Sequence, residues 1–322
     1  MTNPVAQPGT TARRVALFVL GMPRSGTSAL TRILSLCGGT LPSGLMGAVP
    51  DNPLGRWEPR ASLVLNYAIL RRHGSGAYDP TLRLQEEGAF DADENAADIA
   101  KIKAFLTRLP AAPLVVVKEP KISTVSGIWL EAARLAGFDI AVVIAVRHPQ
   151  EVIASGAAAY RASPELSSAL WLKYNLLSER HTRVLPHVFV DYANLLDNWR
   201  REIKRISAAL AIDLNTRDEG AVEEYLTPEQ RHQRHCGPVT EPFGTDWISV
   251  VYETLRAVAR DEPWDQSALD RVFEAYRASE HGFRTVLNDY RRVDKRRLVP
   301  PSIVRLGLET LAMAHRRRGT WA

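Results

Sequence analysis

Four short runs of β-branched and other apolar residues punctuate the chain: RRVALFVL (13–20), PLVVVK (113–118), DIAVVIAV (139–146) and HVFVDY (187–192). They are continuous rather than alternating, the pattern of parallel strands covered on both faces. Helical periodicity separates them, over Thr27 to Cys37, about 95–109, 124–136, 150–161 and 165–183. Such alternation predicts an α/β fold, a doubly wound parallel sheet flanked by helices with right-handed crossovers. After about residue 193 the pattern turns helical, in YANLLDNWRREIKRISAAL, WISVVYETLRAVAR and QSALDRVFEAYRASE. The sequence shows no internal repeat and no long low-complexity linker. We therefore expect one α/β domain over 13–290 with a helical C-terminal part, followed by a basic tail over 291–322 that forms a surface helix.

In a doubly wound sheet the ligand sits beyond the carboxyl ends of the strands. Just there the sequence carries GMPRSGTS after the first run, KEPK after the second and RHP after the third. Gly21 and Gly26 permit the backbone angles of a ring of N–H donors around an anion. The helix starting near Thr27 adds its N-terminal amides, Thr27 and Ser28 add hydroxyls, and Arg24 adds a planar cation. The loop is P-loop-like, but Thr27 stands where a P-loop NTPase has its lysine. The second and third runs end in Lys118 and Arg147, where a metal–ATP enzyme would want a carboxylate. A nucleotide held without metal fits this pattern better. Arg147, with Ser155 eight residues later on the next helix, supplies a second anion clamp. The bland alternative is that Arg147 pairs with a nearby carboxylate while Ser155 only packs. Two separated anion sites in one sheet suggest a nucleotide bisphosphate.

These motifs resemble those of the sulfotransferases that use 3′-phosphoadenosine 5′-phosphosulfate (PAPS), and the likeness runs over about 15–235. GMPRSGTS is similar to their 5′-phosphosulfate loop and VRHPQEVIASG to their 3′-phosphate motif. VVVKEPKIS looks like the K-[DE]-P segment of bacterial members, VDYANLLDN like their Y-E-D-L-L segment, and YLTPEQRH like a late basic segment. The resemblance implies PAPS as donor and a hydroxyl or amine of a small molecule, glycan or lipid as acceptor. It places Arg24, Ser25, Gly26, Thr27 and Ser28 on the 5′-phosphosulfate, Arg147 and Ser155 on the 3′-phosphate, Tyr192 near the adenine, and Arg231 in a basic segment closing over the nucleotide. Lys118 aligns with a lysine near the sulfuryl group. The catalytic histidine of eukaryotic members falls on Pro120 here, so the base must come from elsewhere. Glu58, in DNPLGRWEP, is the best substitute, with Asp51, Glu119 and His148 as rivals; Glu119 has Lys118 or Lys121 as a possible ion-pair partner. Trp57 is expected to shield Glu58 and raise its pKa. Arg24 and Lys118 are the candidates for stabilising charge on the transferring group. Ala29 replaces the tryptophan that many eukaryotic members place after the loop, which leaves the adenine without an evident stacking partner.

Composition narrows the rest. Hydrophobic residues make up 45% of the 322 and charged residues 24%, ordinary for a soluble globular chain. The net charge of +5 hints at nucleic acid, but from Arg291 onward nine Lys or Arg face only Asp294 and Glu309, a net of +7. The remainder therefore carries −2, and nucleic acid is not expected as a partner. Cys37 and Cys236 are too few for a disulfide framework. His232, His235 and Cys236 match no common zinc spacing, so no metal is expected. With no signal peptide and no apolar membrane span in the pattern, a cytoplasmic location is expected. Val304, Leu308 and Leu311 with Arg316, Arg317 and Arg318 give a second option, a tail docked on the inner face of the membrane. Two alternative functions are a P-loop-type kinase and a non-catalytic nucleotide-binding protein.

Overall fold

A computed structural model describes residues 14–49, 52–216, 218–226, 237–293, 306 and 310. The four apolar runs form strands β1 (Val15–Leu20), β2 (Leu114–Lys118), β3 (Asp139–Val146) and β4 (His187–Asp191). All pair in parallel, in the order β2-β1-β3-β4. The registers bring Val19 opposite Lys118 and Leu20 opposite Ile144, so the strand ends share one edge. From β1 the chain moves to β2 on one side and then to β3 on the other. The loops leaving β1 and β3 therefore diverge and open a crevice at the switch point.

Helices α1 (Thr27–Leu36), α2 (Arg60–Arg72), α3 (Ala92–Thr107), α4 (Ser126–Leu135), α5 (Pro149–Tyr160) and α6 (Pro164–Thr182) fill the connections before β4. Then come α7 (Tyr192–Asp197), α8 (Trp199–Leu210), α9 (Glu219–Tyr225), α10 (Trp247–Val258) and α11 (Gln266–Val293). Leu30, Ile33 and Leu34 of α1 and Ile203 and Ile206 of α8 cover one face of the sheet, against Leu17, Val19, Val116 and Val143. On Phe18, which points the opposite way from Leu17 and Val19 along β1, the Trp129 ring of α4 packs edge-on at 6.4 Å. Such burial stabilises by roughly 1.5–3 kcal/mol per large apolar side chain.

Two elements differ from the sequence expectation. Helix α2 was not foreseen; its apolar Val64 and Tyr67 face solvent, which blurs the periodic stripe. The stretch 192–210 is two helices, broken at Asn198, whose backbone is extended (φ −148°, ψ 79°) and whose side chain accepts from Arg201 N to cap α8.

The chain divides into two compact units, Met1–Phe273 and Glu274–Ala322. The sheet and every site residue below belong to the first. In the second, Arg284 pairs with Glu280 one turn away at 3.0 Å. No described helix is long and apolar enough to cross a membrane. The tail residues Val304, Leu308, Leu311 and Arg316 to Arg318, like Arg231, His232, His235, Cys236 and Asp51, lie outside the described residues.

Candidate active site

The loop between β1 and α1 turns on three residues with positive φ: Gly21 (127°), Arg24 (75°) and Gly26 (87°). A Cβ on Gly21 would meet Ala145 O at 2.6 Å, and one on Gly26 would meet the Tyr192 ring at 2.2 Å. Both positions exclude any side chain. Gly21 N donates to Ser123 Oγ at 3.1 Å, which ties the loop to the segment after β2. Ser25 is fully buried, and its hydroxyl closes no hydrogen bond. The first-turn amides of α1 have no intrahelical acceptors, and Gly26, Thr27 and Ser28 line a cavity of about 380 Å³. That is the size range of small-molecule and cofactor sites, roughly 300–1,000 Å³.

The opposite wall comes from β3 and α5. Arg147 directly follows β3, and Pro149 sets the first turn of α5. The Arg147 guanidinium donates to Glu151 Oε2 at 2.6 Å and to Arg24 O at 3.1 Å, and lies 4.8 Å from the Tyr192 ring centre. Its carbonyl accepts from the Trp171 indole at 3.1 Å. Ser155 does more than pack, because its Oγ accepts from Arg24 Nε at 2.8 Å. Arg24, Arg147, Ser155, Tyr192 and Tyr225 all line the cavity, so both expected anion sites open into one space. Asn52, Pro53 and Leu54, with Ala29, Ala158 and Ala159, complete the lining.

Beside Ser28 lies the second group of predicted residues. Lys118 Nζ donates to Glu58 Oε1 at 2.7 Å, Arg56 O at 3.0 Å and Ser28 Oγ at 3.1 Å. Ser28 Oγ also accepts from Asn52 Nδ2 at 3.2 Å. Lys118 and Glu58 are both buried. Burial lowers the Lys118 pKa below its ordinary value, despite the opposing pull of the Glu58 carboxylate. Glu58 does not cap a helix; Pro59 holds the cap position of α2.

The indole of Trp57 lies against Arg32, with 4.7 Å from the guanidinium carbon to the ring centre, and the group on the Glu58 carboxylate is Lys118. Trp57 has φ +58°, a strained conformation costing about 1–3 kcal/mol.

Of the rival bases, Glu119 and His148 are otherwise engaged, and Asp51 lies outside the described residues. Glu119 is completely buried, bonded to Lys121 and to Asn66, whose own oxygen accepts from the Trp129 indole at 2.7 Å. Burial pushes its carboxyl up. His148 accepts from Gln150 N at the start of α5, and its ring packs on Tyr252 at 4.8 Å. Asp191, at the end of β4, accepts from Ala193 N to start α7; burial raises its pKa against the pull of Arg256 and Arg260. Among the described residues no three His, Cys, Asp or Glu side chains gather as a metal site would require.

Sequence reasoning missed Asn52, Glu151 and Tyr225. Glu151 was legible from its i,i+4 spacing to Arg147, and Asn52 from its place in the segment that carries Glu58. Tyr225 opens the YLTPEQRH segment, from which only Arg231 was taken as a site residue.

The chain matches the sequence model of the Sulfotransferase family over residues 16–216. No curated protein sequence is similar enough to match. Among solved structures it is similar to the sulfotransferase domain from the Synechococcus PCC 7002 olefin synthase, with TM-score 0.42 and 19% identity, over 85% of this chain and 98% of that one. It is also similar to the sulfotransferase domain from the curacin biosynthetic pathway, with TM-score 0.40 and 14% identity, over 81% and 97%.

Proposed function

Because this chain belongs to the sulfotransferase family, we propose that it moves a sulfuryl group from PAPS to a hydroxyl or amine of a small-molecule, glycan or lipid acceptor, without metal. The observation that carries the reading is the buried Lys118–Glu58 pair, bonded to the same Ser28 that lines the two-anion cavity. A cavity with cations on both walls suits a ligand with separated phosphates better than a linear triphosphate, whose metal would need an acidic partner.

In this reading Arg147 and Ser155 hold the 3′-phosphate, and Arg24 with residues 25–28 holds the 5′-phosphosulfate. Tyr192 and Tyr225 offer the adenine its aromatic surfaces. The donor supplies the sulfuryl group as electrophile. Glu58 takes the proton of the acceptor hydroxyl as its oxygen bonds to sulfur. The bond from sulfur to the bridging oxygen breaks, and its electron pair stays on the departing phosphate. Lys118, which is buried, and Arg24 stabilise that negative charge. Once Glu58 is protonated, Lys118 loses its counterion and faces the leaving group alone, so the pair acts as a unit.

Calorimetric titration with adenosine 3′,5′-bisphosphate and with ATP–Mg²⁺, on the wild type and Arg147→Ala, tests the donor assignment. Selective binding of the bisphosphate, lost in the variant, supports it. Preference for ATP–Mg²⁺ would replace it with a kinase.

A further inference from the structure

Consecutive residues at the end of β2 point to opposite faces of the sheet. Val116 packs with α1, and Lys118, two residues on, reaches Ser28 of α1 and Glu58 on that side. Glu119, in extended backbone (φ −156°, ψ 116°), points the other way. There one of its carboxylate oxygens accepts from Asn66 Nδ2 of α2 and the other from Lys121. The Asn66 oxygen accepts in turn from the Trp129 indole of α4 at 2.7 Å, which fixes how the amide is turned. Asn66, Glu119 and Trp129 are all fully buried. The segment 58–66 therefore grips the end of β2 from both faces, through Glu58 on Lys118 and through Asn66 on Glu119.

Buried Ile69 and Leu70, with Arg72 on Asp98 at 2.7 Å, hold the far end of α2, while Val64 and Tyr67 on its outer side are exposed. Asn66 lies between that end and Glu58, about 9 Å along the axis from Arg60. A buried polar chain whose partners are all in place specifies one arrangement, where apolar packing tolerates several. The chain from Trp129 through Asn66 and Glu119 to Lys121 meets that condition.

We propose that Asn66 and Glu119 are positioning residues for the Glu58–Lys118 pair: their bond sets where the first turns of α2 lie and so holds the Glu58 carboxylate on Lys118. Neither residue lines the cavity. Breaking the bond lets the start of α2 move outward, parts Glu58 from Lys118 and opens the Lys118 amine to water. The catalytic meaning of the pair rests on the PAPS reading; the tie that holds it does not.

The test is acylation of the folded protein by the N-hydroxysuccinimide ester of acetic acid at mildly alkaline pH, read peptide by peptide in a mass spectrometer. Lys118 is 2% exposed and should react slowly in the wild type. Cys37, fully buried in the core on the α1 face, is followed with iodoacetamide as the reporter of global opening. Asn66→Leu removes the bonds to Glu119 and Trp129, and Asn66→Asp sets a carboxylate against Glu119. Each should raise Lys118 acylation by about tenfold or more and leave Cys37 alkylation unchanged. Adding Glu119→Gln to Asn66→Asp moves the carboxylate to the other partner at constant charge. The new carboxylate can accept from the Trp129 indole and from the new amide, whose oxygen is still there for Lys121. Lys118 should then be protected again. Lys118 as protected in Asn66→Leu as in the wild type would overturn the proposal. So would Lys118 and Cys37 opening in step, or a double variant without recovery. If thermal melting shows Asn66→Leu unfolded, Asn66→Asp and its double variant carry the same expectations. The labelling needs no nucleotide, so failure of adenosine 3′,5′-bisphosphate to bind the wild type would sink the donor assignment alone.

Discussion

Lys118 and Glu58 meet as an ion pair with Nζ 2.7 Å from Oε1 and side chains only 2% and 8% exposed. Sixty residues apart in sequence, they come from the end of β2 and the turn before α2. Each leaves the other an uncompensated buried charge if removed, and that asymmetry separates their structural role from their chemical one.

Glu58→Gln keeps an oxygen for Lys118 but cannot take a proton. Release of adenosine 3′,5′-bisphosphate from the sulfated donor should fall by about 10²–10⁴, while bisphosphate affinity stays near that of the wild type. Glu58→Ala should in addition lower stability by about 3–5 kcal/mol, because Lys118 remains buried without its partner; chemical denaturation reads this. Turnover surviving in Glu58→Gln would remove Glu58 as the base.

The alkaline behaviour follows from the lowered Lys118 pKa. Lys118 loses its proton below the ordinary lysine value of 10.5, so turnover should fall with rising pH before that point. The unfolded chain binds the extra proton between the folded and ordinary values, so this group's contribution to stability rises with pH across that window. In Lys118→Arg the guanidinium stays charged, and the alkaline limb should disappear from the rate profile.

Gly26→Ala would drive a Cβ into the Tyr192 ring at 2.2 Å, at a residue whose φ is +87°. The left-handed conformation alone costs about 1–2 kcal/mol. Bisphosphate affinity should drop roughly tenfold or more, with far-ultraviolet dichroism unchanged. Tyr192→Ala in the same chain should recover part of the loss by clearing the clash.

A separate acid sensitivity resides in α6. His181 is buried, shares a 2.6 Å hydrogen bond with Ser126 Oγ, and has its pKa lowered by burial to about 4. The unfolded chain binds the proton first as pH falls below 6.5, so stability declines from there to about pH 4 and is complete above 6.5. The total is about 3 kcal/mol. Thermal melts of His181→Asn should lack this slope; a slope equal to the wild type would assign the acid sensitivity to other groups.

The strands were legible because continuous apolar runs have few other uses in a soluble chain, and each observed strand falls within the run that predicted it. Helix α2 was not, because Val64 and Tyr67 leave its apolar residues partly on the wrong side for a clean stripe. The break at Asn198 carried a readable sign, an Asn before Trp199 in a capping position. The loop after β1 could be read as a unit since its glycines, cation and hydroxyls lie within eight consecutive residues. Glu58 and Lys118 could each be named from local motifs, but their contact could not, because it depends on how far the 52–59 segment folds back over β2. That the Trp57 indole packs on Arg32 was not legible for the same reason: adjacency in sequence says little about side-chain direction at a residue with positive φ.

Arg24 ties the loop after β1 to the opposite wall at two points, its carbonyl accepting from Arg147 and its guanidinium donating to Ser155. One consequence concerns redesign. A substitution at position 24 removes the guanidinium bond to Ser155 while the backbone carbonyl stays for Arg147, so it loosens the tie between the loop and the β3–α5 wall without cutting it. Glu151 bonds Arg147 on one side of the cavity and Asn52 bonds Ser28 on the other, which gives a handle on each side separately.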